Sequence, residues 1–311
     1  MMVVIYILAG LLAAGTVLAA YMIFVEPRRF RIDVRTIPLV DSRSPGQLAL
    51  EADRFPEMQI LHISDTHFGI DDAAKLQFLR DAAGRDYDLA ILTGDLIDAP
   101  AGIEPCLELA EMLSARLGTY AVLGGHDYFR SRNLIRKFTT LRHSSAGGFQ
   151  NCRKNPAEKL RRELLKRDVE VLSDDNCRLA TPDGRHIAIV GLRDSFVFDC
   201  DYRAAWDGVS PDLPTIVLAH SPDVLPEVSR RRAEMAFFGH THGGQVRLPG
   251  IGAVVTRSNL ETARASGIHR EKDTVFVINR GVGAGWGSNF RLLCRPEVGL
   301  ITVQKQTEEQ S

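Results

Sequence analysis

The stretch Met58-Gln-Ile-Leu-His-Ile-Ser-Asp-Thr-His67 decides the fold. It opens as an apolar run of strand length and ends abruptly in a carboxylate and an imidazole. The same form recurs along the chain. Asp88–Gly94 (DLAILTG) runs into Asp95 and Asp98, and Thr119–Gly125 (TYAVLGG) into His126-Asp127. Thr215–His220 (TIVLAH) ends in a histidine, and Met235–His240 (MAFFGH) opens Gly239-His240-Thr241-His242-Gly243-Gly244. Helical patterns over 72–83 and 103–117 separate the first three runs. Strands alternating with helices of this length predict βαβ units and a largely parallel sheet. In such folds ligand sites collect beyond the carboxyl ends of the strands, so five polar strand ends can share one crevice.

The second half is richer in strands. Runs 186–191, 244–248, 274–280 and 298–303 have strand character, and Pro222–Arg231 reads as a helix. The chemistry of the five polar ends is that of a metal centre. Mixed Asp and His donors suit Mn, Fe or Zn better than Ca or Mg. Two metals about 3.5–4 Å apart need a shared carboxylate and several ligands each. Asp65, His67, Asp95, His220, His240 and His242 meet that need. His62, His143, His186 and His269 lack such a context and read as structural or exposed. Ser64 and Ser221 read as turn residues.

The ordered motifs DxH, GDxxD, GxHD, H and GHTH resemble the calcineurin-like metallophosphoesterases from about Met58 to Val303. The resemblance implies an α/β/β/α sandwich with a dinuclear site. Asp65, His67 and His242 would hold the first metal, His220 and His240 the second, and Asp95 would bridge them. His126 resembles the catalytic histidine, Asp127 the acid that orients it, and Asp98 a support for the loop. The implied cofactor is two divalent ions, with Mn²⁺ expected and Fe or Zn open. The family's third motif carries Asn where this chain has Gly125. The second metal is therefore expected to lack one ligand and to bind more weakly. The implied reaction is in-line attack on phosphorus by a water that two cations make acidic. His126 would assist the leaving oxygen, an effect typically worth ~10²–10⁴-fold.

Outward from this core, Met1–Val25 carries no charged side chain. As a helix it would be about 37 Å long at ~1.5 Å per residue, enough for a bilayer core. Arg28, Arg29, Arg31 and Arg35 follow it and, by the positive-inside rule, place the remainder in the cytoplasm. The expectation is a signal anchor in the inner membrane, with a cleaved signal peptide as the alternative. Residues 26–56 read as a juxtamembrane connection holding at most one strand, 57–305 as the catalytic domain and 306–311 as a frayed tail.

The composition fits an ordinary folded chain: 311 residues, 45% hydrophobic, 25% charged, formal net charge −1. The near-zero charge gives no reason to expect a nucleic-acid partner. Five scattered cysteines without a CxxC pair argue against a disulfide framework. The balance hides a basic stretch, because residues 128–167 hold twelve Lys or Arg and two acids. It reads as a mobile lid for lipid head groups or a nucleotide.

GHTHGGQVRLPG, the HSPD after TIVLA, NRGVG (279–283) and RLLCRPE (291–297) are similar to the membrane-anchored branch of the family. That branch includes a pyrophosphohydrolase acting on UDP-2,3-diacylglucosamine in lipid A synthesis. The implied substrate is a phosphorylated or nucleotide-bearing lipid at the membrane, with Arg280 and Arg291 as candidate contacts. A phosphodiesterase or phosphatase for another lipid or a nucleotide, and a non-catalytic metal- or lipid-binding scaffold, remain open.

Overall fold

The computed structural model describes residues 1–42, 44, 46–69, 72–130, 152–284 and 289–305. Most of the basic stretch, His143 and the 306–311 tail lie outside them.

Two sheets stack face to face. In the first, β1 (Arg31–Val40) lies parallel to β17 (Glu297–Lys305), which lies antiparallel to β3 (Met58–Ile63). From β3 the sheet runs parallel through β4 (Leu89–Thr93) and β5 (Thr119–Val122) to β8 (Val169–Val171); β2 (Leu50–Glu51) closes the other edge. The second sheet has four parallel strands: β10 (His186–Gly191), β11 (Thr215–Leu218), β12 (Met235–Phe238) and β16 (Thr274–Ile278). Antiparallel edges β9 (Asp175–Ala180) and β15 (Gly267–Glu271) flank them.

Side-chain alternation explains the layering. On β3, Ile60 points between the sheets, where it packs with Ile91, Val122, Ile189, Ile216, Met235 and Ile301. Leu61 and Ile63 point the other way, onto α2 (Ala73–Ala83), α3 (Ile103–Met112) and α5 (Ala157–Leu165) through Leu79, Leu107 and Leu160. The outer face of the second sheet, with Val217, Ala236 and Phe276, is covered by α6 (Tyr202–Ala205) and α7 (Leu225–Arg230). Three apolar clusters between four layers make the expected α/β/β/α sandwich.

The structure departs from the expectations at the margins. The third helix ends at Met112, not 117. Within 244–248 only Arg247–Leu248 is strand, because residues 242–244 form a tight turn. Residues 31–40, expected inside a juxtamembrane connection, pair with β17 over nine residues and are integral to the large sheet.

The N-terminal helix α1 (Met2–Ala20) continues as helical turns to Arg28. The most apolar 18-residue window of this 27-residue span has a mean hydropathy of 2.4, and none of it is buried in the protein. It is long and apolar enough to cross a membrane. Its Thr16 hydroxyl donates to the Leu12 carbonyl at 2.9 Å, so that polar group is satisfied within the helix.

His62 lies between the layers, its Nε2 2.9 Å from the Thr93 hydroxyl. Burial lowers its pKa from 6.5 to about 3. Between those values the unfolded chain takes up a proton that the folded chain refuses. The contribution is complete above pH ~6.5 and is lost on acidification at about 1.4 kcal/mol per pH unit. Denaturant titrations from pH 7 to 4 should therefore show a shallower loss of stability for His62→Gln than for the parent chain; parallel profiles would contradict the assignment.

Candidate metal centre

The strand ends meet where the two sheets abut. His220, after β11, donates from Nδ1 to the Thr93 carbonyl of β4 at 2.7 Å. The His240 N–H, after β12, donates to the Asp65 carboxylate at 3.1 Å. Asn279, after β16, donates to the His62 carbonyl of β3 at 2.9 Å. These bonds cross from one sheet to the other and bring the polar loops into one basin.

The backbone there is strained. Asp65, His67, Asp95, His240 and His242 all have positive φ, between 44° and 66°. Each such non-glycine conformation costs about 1–3 kcal/mol and persists only where its surroundings enforce it. Gly124 makes room for the cluster, since a Cβ there would lie 2.4 Å from Asp95 Oδ1 and 2.8 Å from the His220 ring.

Two carboxylates and three imidazoles converge. Asp95 Oδ2 is 3.2 Å from His220 Nε2 and 3.7 Å from His67 Nε2. Asp65 Oδ1 is 3.5 Å from His242 Nε2, 3.9 Å from His67 Nε2 and 4.0 Å from His220 Nε2. Asp65, His67 and His242 form one group with ligand atoms within 4.8 Å of one another; Asp65, Asp95 and His220 form another.

The nitrogens of these rings divide their work. His67 bonds Asp98 through Nδ1 at 2.8 Å, and His220 bonds Thr93 through Nδ1. Their buried Nε2 atoms, with Nδ1 of His242, have no hydrogen-bond partner. Buried polar atoms are normally paired, so the orphaned Nε2 atoms of His67 and His220 facing carboxylates fit a cation. A metal-binding histidine typically donates its second ring N–H to a carboxylate or carbonyl, as both rings do here.

The buried charges of the basin act strongly on one another. Burial pushes the Asp95 carboxyl up, but His220, His126 and His67 hold it well below its usual range. Burial depresses His220, yet Asp95 and Asp65 raise it well above its ordinary value. Burial, with His67 and Arg291 nearby, keeps His242 neutral, the form that binds metal.

His126 and the acids around it differ from expectation. Its Nδ1 lies 2.8 Å from Asp98 Oδ1, the oxygen that also takes the His67 bond. Asp98 therefore orients both rings. Asp127, expected in that role, accepts from the Ile97 and Gly124 N–H groups at 2.9 Å each and braces the two loops. Burial raises its carboxyl to about 7, with the Asp95 charge adding.

His240 packs against His220 at the edge of these groups. Its Nε2 is 3.2 Å from the Arg257 carbonyl, and its ring centroid lies 5.2 Å from that of His220. Gly125 is buried and offers no side-chain donor.

The two arginines expected on substrate are both engaged by partners within the protein. Arg291 is fully buried, and its guanidinium donates to the carbonyls of Arg280, Gly281, Gly283 and Cys294. It holds a loop, not a ligand. Arg280 is 3.4 Å from Glu297 and donates to the Ser266 hydroxyl.

Two residues at the site escaped the sequence reading. Asp194, just after β10, is buried; burial raises its pKa while His220 and His240 oppose the rise. Asn155 donates to the His126 and Asp98 carbonyls at 2.8 and 3.3 Å. Neither sits in a repeated motif. The one available signal was the position of Asp194 behind a strand parallel to β11.

A model of the calcineurin-like phosphoesterase family matches residues 58–244. The chain belongs to that family. Its match covers all the converging ligands. The chain is 28% identical over 275 residues to the UDP-2,3-diacylglucosamine pyrophosphatase LpxG of Chlamydia muridarum, covering 78% of this chain and 83% of that one. It is 28% identical over 265 residues to the phosphodiesterase YaeI of Escherichia coli K12, covering 83% and 86%. A Bos taurus transmembrane protein with a metallophosphoesterase domain is 25% identical over 264 residues, covering 79% and 53%.

Asp98→Asn is expected to lower kcat by ~10–100-fold, the usual effect of removing a group that orients metal-binding and proton-transfer residues. Asp127→Asn should act mainly on melting temperature. Equal kcat losses in both variants, with melting unchanged, would overturn this division of roles.

Proposed function

We propose that the chain is a membrane-anchored, metal-dependent phosphoesterase that hydrolyses UDP-2,3-diacylglucosamine to UMP and the lipid phosphate. The observation that carries the hydrolase reading is the pair of ligand groups around Asp65, built from buried imidazole nitrogens with no other partner. The lipid substrate is supported by the resemblance to LpxG and by the apolar helix.

Asp65, His67 and His242 would hold one ion; Asp95, His220 and His240 a second, with Asp95 serving both. Mn²⁺ is the expected ion, and Fe or Zn would suit the same donors. Bound divalent ions supply the positive charge that offsets the diphosphate and a water acidic enough to attack at neutral pH. The water oxygen joins one phosphorus as the bridging P–O bond breaks. Asp98 holds His126 through Nδ1, so Nε2 is the nitrogen that gives a proton to the departing phosphate oxygen. Asp127 and Asn155 fix the loop that carries this ring. With Gly125 offering no donor, the second ion relies on fewer side chains and binds more weakly.

The anchor reading places the helix in the inner membrane with the domain cytoplasmic. That orientation rests on the run Arg28, Arg29, Arg31 and Arg35, of which Arg29 pairs with Glu26, Arg31 with Glu297 and Arg35 with Asp33. A second reading, a phosphodiesterase for another lipid or a nucleotide, is favoured by the match to YaeI.

The test is turnover of detergent-dispersed UDP-2,3-diacylglucosamine by the full chain with Mn²⁺. The expected products are UMP and diacylglucosamine phosphate, absent with Asp95→Asn. Cleavage of bis-p-nitrophenyl phosphate but not of the lipid would replace this substrate with the second reading. No hydrolysis of either with Mn²⁺, Fe²⁺ or Zn²⁺ would leave a non-catalytic scaffold.

A further inference from the structure

Outside the N-terminal helix, the exposed large hydrophobic residues among those described are Val34, Leu165, Leu248, Ile251, Val254 and Leu293. Four of these six sit together. Leu248, Ile251 and Val254 belong to a hairpin formed by β13 (Arg247–Leu248) and β14 (Gly252–Ala253). Leu293 is on the neighbouring loop, which bonds the hairpin at Arg247 N–H to Leu292 O and Leu292 N–H to Gln245 O, both 2.9 Å.

The hairpin is chemically unlike the other turns of this fold. Its stretch Leu248-Pro-Gly-Ile-Gly-Ala-Val254 has no charged or hydrogen-bonding side chain. The β9–β10 turn is Thr181-Pro-Asp-Gly-Arg185, and the β15–β16 turn is Glu271-Lys-Asp273. Solvated turns favour such polar residues. Ile251 is 69% and Leu293 53% exposed. Leu293 also holds a φ of +51°, a conformation unfavourable for a leucine that here keeps its side chain outside. Single exposed leucines need no explanation, but a contiguous apolar patch marks an interaction site.

The patch lies where the N-terminal helix leaves the domain. The Arg291 N–H donates to the Met22 carbonyl at 2.9 Å, one residue before the hairpin-bonded Leu292. The Cys294 N–H donates to the buried Glu26 carboxylate at 3.0 Å. Tyr21 donates its hydroxyl to the other Glu26 oxygen. The helix end is therefore fixed to the same loop that presents Leu293. A helix in a bilayer would bring this loop and hairpin to the lipid surface with it.

The same elements hold the metal loop. Arg247 donates to the Gly243 carbonyl at 3.0 Å, and the Cys294 thiol to the His242 carbonyl at 3.3 Å. We infer that Leu248, Ile251, Val254 and Leu293 form a second membrane contact, seated in the lipid surface beside the anchor helix, that holds the His242 loop against phosphate-bearing head groups. This rests on the anchor reading and adds a fixed orientation of the basin toward the bilayer. The occupant is the lipid surface, because the patch is continuous with the end of the apolar helix.

Benzoylphenylalanine placed singly at Ile251 or Leu293 tests it in the full chain, reconstituted in phosphatidylethanolamine–phosphatidylglycerol vesicles. Phe24 in the helix and Glu170 on β8 serve as references. Irradiation should give lipid adducts at Phe24, Ile251 and Leu293, several-fold above Glu170. Adducts at Phe24 with Ile251 and Leu293 at the Glu170 level would overturn the hairpin contact and leave the anchor intact. Absence of adducts at all positions would overturn both. Cross-linked dimers at Ile251 in place of lipid adducts would assign the patch to a second copy of the chain and overturn the proposal.

Discussion

The buried Asp95 carboxylate is the point on which the site depends. One oxygen accepts the His126 N–H at 2.8 Å, fixing the loop after β5. The other faces His67 from β3 and His220 from β11. A carboxylate taken out of water is costly unless paired, and here its partners come from both sheets. The left-handed backbone at Asp65, His67 and Asp95, and the glycine at 124, are conditions for bringing those partners to it. Packing of the two sheets supplies the energy that keeps these strained turns in place.

Much of the architecture was legible because buried parallel strands read as continuous apolar runs, and those of β3, β4, β5, β11 and β12 each ended in chemistry. What escaped was polar or half-buried. β9 is an antiparallel edge of exposed and half-buried positions, β15 an antiparallel edge half-buried throughout, and β1 is largely solvent-facing over Val34–Thr36. Their pairing partners lie far away in sequence. β1 adds to β17, at the other end of the chain, and no local pattern announces that.

At the site, residue types were readable but their divisions of labour were not. Asp98 and Asp127 are both acids beside His126 in sequence logic. Only the turn geometry makes Asp98 the acceptor for two rings and turns Asp127 onto backbone N–H groups. Arg291 looked like an anion contact, yet its guanidinium donates to four nearby carbonyls. A buried guanidinium with that many acceptors is structural. Glu26, an ordinary residue at the end of an apolar run, proves to be the clasp between helix and domain. That clasp connects the apolar helix to the His242 loop through Cys294, so where the chain meets a membrane and where it meets phosphate are one structural question.

The central claim is that the strand-end carboxylates and imidazoles form a divalent metal centre organised by Asp95. Calorimetric titration of the metal-stripped full chain with Mn²⁺ tests it most directly. The account predicts two binding steps of unequal affinity, both lost in Asp95→Asn while melting shows that variant folded. Absence of Mn²⁺ binding to the parent chain, or binding undiminished by Asp95→Asn, would contradict it.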